Sequence, residues 1–191
     1  MANVFIDCGS NVGQALIEFA SMYNMDSSWF VESFEPNPYL IDKLKTNIAN
    51  LPMKITTHNK AVWNNDGEVE FSLMIEESQG SSVKKLMDAG VCADEKSLSY
   101  RKHNSIINAP SIDISKILNN YTESDYIVVK LDIEGSEFCV IRKMLADNTI
   151  DLIDELYIEW HTAYMSSENE NTQNNLIEKI KSRDIKYHTW N

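Results

Sequence analysis

The chain has 191 residues, of which 43% are hydrophobic and 24% are charged. This length and composition are typical of one globular domain, which we predict to span residues 1–191. The 17 basic and 29 acidic residues give a net charge of -12. Because this charge repels phosphate backbones and anionic lipid surfaces, we expect neither nucleic acid nor a membrane among the partners.

The cysteines and the first residues of the chain indicate the cellular compartment of the protein. Cys8, Cys92 and Cys139 are widely spaced and form no pair typical of a zinc site or a disulfide framework. No apolar run reaches the ~20 residues of a membrane-spanning helix, and the start lacks the basic region and cleavage site of a signal peptide. We therefore expect a protein of the reducing cytoplasm.

The first part of the chain alternates strands with amphipathic helices. The predicted elements are strands at 4–6, 29–34 and 54–58 and helices at 12–23 and 39–48. Residues 61–63 then lead into the turn signal Asn64-Asn-Asp-Gly67 and the alternating segment 68–73. This pattern predicts a β-hairpin inserted after the third strand.

Residues 75–105 are polar and carry no sustained period apart from a short predicted helix at 82–88. We interpret this segment as loop-rich and as a lid over the site. The later predicted elements are strands near 106–109, 126–132, 152–160 and 185–190 and helices at 114–119, 134–146 and 171–182. The alternation predicts an α/β fold with a Rossmann-like, doubly wound, largely parallel sheet.

The turn after the first strand, Asp7-Cys-Gly-Ser-Asn-Val-Gly13, is where such a sheet receives a nucleotide-like cofactor. Gly9 and Gly13 permit a tight turn and a close approach of the cofactor. Two glycines of the dinucleotide motif are missing, one of them replaced by Asn11. Asp7 suits the ammonium group of S-adenosylmethionine better than a pyrophosphate. The alternative role of Asp7 is a helix cap.

Glu35 closes the second strand, 22 positions after Gly13. This is near the offset of ~20 residues at which an acidic side chain accepts hydrogen bonds from ribose hydroxyls. Together with Asp7, Glu35 indicates an adenosine site rather than a surface acid.

Seven motifs follow one another from residue 5 to residue 161. They are Phe5-Ile-Asp-Cys-Gly-Ser-Asn-Val-Gly13, Phe34-Glu-Pro-Asn-Pro38, Asn59-Lys-Ala-Val62 with Asp66-Gly-Glu-Val69, Gln79-Gly-Ser-Ser-Val83, Ile112-Asp113, Lys130-Leu-Asp-Ile-Glu-Gly-Ser-Glu137 and Glu159-Trp-His161. In this order they resemble the FkbM family of S-adenosylmethionine-dependent methyltransferases. The resemblance implies a Rossmann-like class I methyltransferase fold and O-methylation of a hydroxyl group on a sugar, glycan or small metabolite.

The resemblance also implies which residues bind the cofactor. We assign to it Asp7, Gly9, Ser10, Asn11, Gly13, Glu35, Pro36, Asn59, Ala61 and Asp132. The segment 130–137 is expected beside the reaction centre. Many family members carry a segment upstream of the first strand, so we expect that a second copy or a partner chain could complete the substrate site.

Methyl transfer to a hydroxyl requires alignment of the reactants and removal of a proton. The candidate catalytic residues are Asp132, Glu134 and His161. Asp132 ends a buried strand and is expected to contact the substrate or the methionine end. His161 is the natural base if the pKa of its imidazole is about 6.5. A purely structural role for His161 is equally consistent with the sequence. Glu134 could instead cap the next helix.

The acidic residues near the end of the predicted strands also allow a metal site. Asp132, Glu134 and Glu159 could gather magnesium, as oxygen-rich sites do, but we favour a site without metal. Two residue types near the motifs are assigned to packing: Cys8 within the turn, and the tryptophans, including Trp190.

Two other functions remain as alternatives. One is a nicotinamide-dependent oxidoreductase on a similar sheet, against which Asp7 and Asn11 argue. The other is a catalytically silent binding module, which nothing in the sequence demands, since Asp132, Glu134 and His161 are all present.

Overall fold

A computed structural model describes residues 1–74, 82–83, 103–162 and 168–190. The strands are β1 (Asn3–Cys8), β2 (Trp29–Phe34), β3 (Lys54–His58), β4 (Ala61–Trp63), β5 (Gly67–Met74), β6 (Ser82–Val83), β7 (His103–Asp113), β8 (Tyr126–Leu131), β9 (Glu155–Ile158) and β10 (Lys186–Thr189). The helices are α1 (Gln14–Met22), α2 (Ile41–Ile48), α3 (Ile114–Leu118), α4 (Glu137–Asp147) and α5 (Glu170–Lys181), with a 3₁₀ helix at Thr149–Leu152. None of these helices is long and apolar enough to cross a bilayer.

The central sheet has six strands in the order β10-β9-β8-β1-β2-β3, and every pairing in it is parallel. Both faces are buried. Along β1, Val4 and Ile6 belong to one apolar cluster, which includes residues of α4 and α5, whereas Phe5 belongs to a second cluster with residues of α1 and α2. The predicted Rossmann-like, doubly wound sheet is confirmed.

Most predicted elements lie within a few residues of those in the structure. The strand predicted near 106–109 extends over His103–Asp113, and the strand predicted at 152–160 forms only over Glu155–Ile158. The latter strand begins late because Thr149–Leu152 is a 3₁₀ helix and the Asp154 carboxylate accepts a hydrogen bond from the Ile127 amide, at 2.7 Å. An apolar run alone does not reveal such a side-chain contact.

The inserted segment differs from the predicted hairpin. It belongs to a second sheet with the order β4-β7-β5-β6, in which β7 lies between the two strands that the Asn64–Gly67 turn connects. β7 is parallel to β4 and antiparallel to β5. The turn is tied to β7 because Asp66 accepts a hydrogen bond from the Asp113 amide, at 2.9 Å.

A helix is predicted at 82–88, but its first two residues, Ser82–Val83, form the short strand β6 instead. This strand pairs antiparallel with β5. Residues 84–88, and most of the segment interpreted as a lid, lie outside the described residues.

Candidate active site

A cavity of about 350 Å³ lies at the carboxyl ends of β1, β2 and β8. A doubly wound sheet binds its ligands at this edge. The predicted site residues on its wall are Gly9, Ser10, Asn11, Glu35, Pro36, Ala61, Asp132 and Glu134. The second sheet closes one side with Val62 and Phe71. Most of the predicted cofactor residues are therefore gathered around one space.

Two glycines give the first turn its shape. Gly9 has a φ of +84°, and a Cβ there would stand 1.8 Å from the Asp132 carbonyl oxygen. Gly13 has a φ of +90°, and its Cβ would stand 2.8 Å from Ile48 Cγ2. At both glycines, the space next to the Cα atom is thus occupied by another part of the chain rather than by a cofactor. Gly13 lies behind the cavity wall, against α2.

Glu35 links the turns that follow β1 and β2. Its carboxylate accepts hydrogen bonds from the Asn11 amide at 2.8 Å and the Asn37 amide at 2.7 Å. Burial raises the pKa of Glu35 to about 7, although these two amides act in the opposite direction. Glu35 is only 6% exposed, so it is not a surface acid.

Two further predicted residues support the turns. Asn59 donates from Nδ2 to the carbonyls of Glu35 at 2.9 Å and Pro36 at 3.0 Å. Ser10 donates from Oγ to the Asp7 carbonyl at 3.1 Å. Asn59 is absent from the described cavity wall, so in this structure it acts on the backbone behind it.

Asp7 lies beneath the wall and is fully buried. Lys130 Nζ stands 3.3 Å from Asp7 Oδ1 and 3.2 Å from Asp132 Oδ2, and it donates to the Gly9 carbonyl at 2.9 Å. Burial lowers the pKa of Lys130, but the charges of Asp7 and Asp132 outweigh it and raise that pKa. The Asp7 charge is thus compensated by Lys130, and its role toward a ligand ammonium stays a prediction.

His161 lies among four carboxylates and is 7% exposed. Its Nδ1 is hydrogen-bonded to Glu137 Oε1 at 3.0 Å. Its Nε2 stands 3.6 Å from Glu134 Oε2, 3.7 Å from Glu159 Oε1 and 3.9 Å from Asp132 Oδ1. The structure therefore brings the three predicted catalytic residues together.

The surroundings of His161 do not favour a neutral imidazole. Burial lowers its pKa, but the hydrogen bond and charge of Glu137 and the charges of Glu134 and Asp132 raise it to about 9. At neutral pH His161 is thus a cation, in contrast to the base expected to titrate near about 6.5. Its catalytic role stays a prediction.

Glu134 does not take the helix-capping role considered for it: the N-cap residue of α4 is Ser136, and it makes no side-chain cap hydrogen bond. Glu134 precedes α4 with a φ of +55°, whereas Glu137 stands in the first turn of α4. The Glu137 carboxylate accepts hydrogen bonds from the amides of Ile133 at 2.8 Å and Gly135 at 2.9 Å. Glu134 is left to face the cavity.

The Methyltransferase FkbM domain matches residues 7–186 of the chain. The chain belongs to this family. No curated protein and no solved structure matches it. The match spans both sheets and the motifs around the cavity, so this FkbM-domain protein is a methyltransferase.

Sequence reasoning missed three features of this FkbM-domain site. The motif that begins with Lys130 does not by itself assign this residue a role, although a lysine within the apolar strand β8 is a signal of a buried ion pair. Trp190 was assigned to the core but contributes to the cavity wall. Phe71 reaches the wall through the second sheet, whose pairing with β7 no local pattern reveals.

Proposed function

We propose that this protein is an S-adenosylmethionine-dependent O-methyltransferase that acts on a hydroxyl group of a sugar, glycan or small metabolite. The observation that carries the proposal is the charge distribution of the cavity, in a chain of the FkbM family. Glu35 follows β2 and Asp132 follows β8, on opposite sides of β1, and Glu35, Asp132, Glu134 and Glu159 all line the cavity. This distribution suits a ligand with ribose hydroxyls at one end and an ammonium group at the other.

The wall residues fit such a cofactor in kind. Each Glu35 carboxylate oxygen accepts one backbone amide and retains a lone pair for a ribose hydroxyl. Leu40, Ala61 and Phe71 supply apolar surface for the adenine ring. The acidic rim of Glu134 and Glu159 gives the methionine ammonium a favourable potential.

S-adenosylmethionine, when bound, supplies a methyl group that leaves its sulfonium sulfur for the acceptor oxygen and gives S-adenosylhomocysteine. Asp132 is proposed to hold the acceptor hydroxyl at the end of β8. Glu159 is proposed to take the hydroxyl proton, because burial and the charge of Asp132 raise its pKa above that of an ordinary carboxylate. His161 lies between Asp132 and Glu134, within 4 Å of both carboxylates, and is proposed to keep them in position.

A calorimetric titration with S-adenosylhomocysteine and with NADH tests the cofactor. S-adenosylhomocysteine is expected to bind. Glu35→Gln is expected to lower the affinity for S-adenosylhomocysteine about 10-fold or more, because a charged hydrogen-bond acceptor is lost. Glu178→Gln, an exposed change on α5, is the matched control and should bind like the wild type. Binding of NADH without binding of S-adenosylhomocysteine would favour the oxidoreductase alternative.

A screen of hydroxylated sugars and small metabolites with a labelled methyl donor tests the acceptor. Asp132→Ala is expected to lower turnover about 100-fold or more while S-adenosylhomocysteine still binds, since the acceptor hydroxyl loses the group that positions it, whereas Glu35, Glu134 and Glu159 remain for the cofactor. Turnover equal to that of the wild type would remove the role proposed for Asp132.

A further inference from the structure

Three donor groups lie close together at the acidic end of the cavity. Asp132, Glu134 and His161 each offer one ligand atom, and these atoms all lie within 4.8 Å of one another. His161 Nε2 stands 3.6 Å from Glu134 and 3.9 Å from Asp132. These separations are close to the ~3 to 4.2 Å between ligands that share one small divalent cation.

Glu137 gives His161 the orientation that a metal ligand needs. A histidine that binds a metal through one ring nitrogen commonly donates its other N–H to a carboxylate. Here Glu137 is fully buried, is fixed by two backbone amides, and bonds His161 Nδ1. Nε2 is thereby directed toward Asp132 and Glu134.

Ser136 supplies an independent sign that the cavity receives a polar ligand. The residue is 1% exposed and contributes to the cavity wall. Within the described parts of the chain its hydroxyl has no hydrogen-bond partner. Because a buried hydroxyl is costly without a partner, a ligand oxygen or a metal-bound water at this place would satisfy it.

From these observations we infer that Asp132, Glu134 and His161 bind one divalent cation of the Mn²⁺ and Mg²⁺ type, which takes the acceptor hydroxyl as a further ligand. The role toward the acceptor rests on the proposed function, whereas the binding of the cation does not. Carboxylate oxygens suit these cations, and the single imidazole favours Mn²⁺ over Mg²⁺. The cation replaces the proton on His161, since a ligating imidazole is neutral.

Coordination of the acceptor oxygen would make its proton easier to remove. The O–H bond then breaks with the proton passing to Glu159, and the oxygen forms its bond to the methyl carbon as the carbon–sulfur bond breaks. Glu159 stands outside the three-residue group and lines the same cavity. It can therefore act on an oxygen held by the cation.

Titration of the full chain with Mn²⁺, followed by electron paramagnetic resonance without cofactor or acceptor, tests the site. One Mn²⁺ per chain is expected to bind, in competition with Mg²⁺. Glu134→Gln and Asp132→Asn are each expected to weaken binding at least 10-fold, and Glu137→Gln about 10- to 100-fold through loss of the histidine orientation. Glu178→Gln should bind like the wild type.

Thermal unfolding identifies any variant that fails to fold, and Glu134→Gln, on the partly exposed turn, then decides the outcome. Absence of saturable Mn²⁺ binding at millimolar concentration would overturn the site. Equal affinity in Glu134→Gln and Glu178→Gln would also overturn it, since the ion would then bind elsewhere.

Titration with S-adenosylhomocysteine in EDTA separates this inference from the proposed function. Cofactor binding is expected to persist without the cation, while methyl transfer falls at least 10-fold and returns with Mn²⁺. Transfer that EDTA leaves unchanged would overturn the role toward the acceptor. Mn²⁺ binding in a chain that binds no S-adenosylhomocysteine would refute the proposed function and support the cation site alone.

Discussion

Two clusters of histidine and carboxylate side chains lie at opposite edges of the central sheet. The amino-edge cluster consists of Glu155, Tyr23, Tyr126, Lys186 and His188. The carboxyl-edge cluster consists of Asp132, Glu134, Glu159, His161 and Lys130. The residue types are similar, but the ratio of donors to carboxylates is reversed.

At the amino edge, one carboxylate is surrounded by donors. Glu155 accepts hydrogen bonds from Tyr126 at 2.5 Å and from Tyr23 and Lys186 at 3.0 Å. Burial raises the pKa of Glu155, but these hydrogen bonds and that of His188 lower it to about 2. A carboxylate satisfied in this way stabilises the fold and has little capacity left for a ligand.

At the carboxyl edge, the three carboxylates of the cluster share its two cations, Lys130 and His161, with Asp7 and Glu137, and the cavity lies beside them. The pKa of Glu159 is raised there by burial and by the charge of Asp132. Perturbed groups beside a cavity are typical of functional sites. The comparison therefore indicates that the carboxyl-edge cluster serves a ligand and the amino-edge cluster serves stability.

The largest effect is expected from removing a lysine at each edge. Lys130 is 1% exposed at its side chain, whereas Lys186 is 71% exposed. Lys130→Met leaves Asp7 charged and buried, so it should lower the free energy of unfolding by about 3–5 kcal/mol. Lys186→Met should lower the free energy of unfolding by less than about 1 kcal/mol. Urea unfolding of both variants measures this, and equal losses would contradict the difference in burial.

The next effect is a loss of stability in alkali at the carboxyl edge. The pKa of His161 is raised from 6.5 to about 9 in the folded chain, so its contribution is present below pH 6.5 and is lost as pH rises toward 9. In EDTA, the free energy of unfolding of the wild type should fall by on the order of 2–3 kcal/mol as the pH rises across this window. His161→Gln should lose less. Parallel unfolding curves for the two proteins would refute the raised pKa.

A loss of stability in acid is expected at the amino edge. Since the pKa of Glu155 falls from 4.5 to about 2 on folding, its contribution is present above pH 4.5 and is lost as pH falls toward 2. The loss should be on the order of 2 kcal/mol. In Glu155→Gln the free energy of unfolding should vary less across this window. An unchanged acid slope in this variant would show that Glu155 is not the group responsible.

The smallest effects compare one hydroxyl at each edge. Tyr126→Phe removes a hydrogen bond to Glu155 and should cost about 1–2 kcal/mol. Ser136→Ala removes a hydroxyl that has no hydrogen-bond partner in the described residues. The free energy of unfolding without ligand should therefore change by less than about 0.5 kcal/mol. Thermal unfolding checks both, and a large loss in Ser136→Ala would mean that its hydroxyl is already satisfied within the chain.

The elements of the central sheet could be predicted because their signals are local. Trp29–Phe34 and Lys54–His58 have the predicted bounds, since each is an apolar or alternating run closed by turn residues. The turn from Asp7 to Gly13 was also recognised from its own residues. These features need no knowledge of distant contacts.

The charge balance of the site could not be predicted in this way. The pKa of His161 depends on Glu137, Glu134 and Asp132, which come from a different segment of the chain. The position of β7 between β4 and β5 depends on pairings such as Ala61 with Ser111. Long-range contacts of this kind leave no periodic trace in the sequence.

A crystal structure of the chain with S-adenosylhomocysteine is the most direct test of the assignment of the carboxyl edge to methyl transfer. We expect the ligand in the cavity, with its ribose at Glu35 and its sulfur toward Asp132. A ligand bound elsewhere, or a crystal soaked to saturation with no ligand in this cavity, would contradict it.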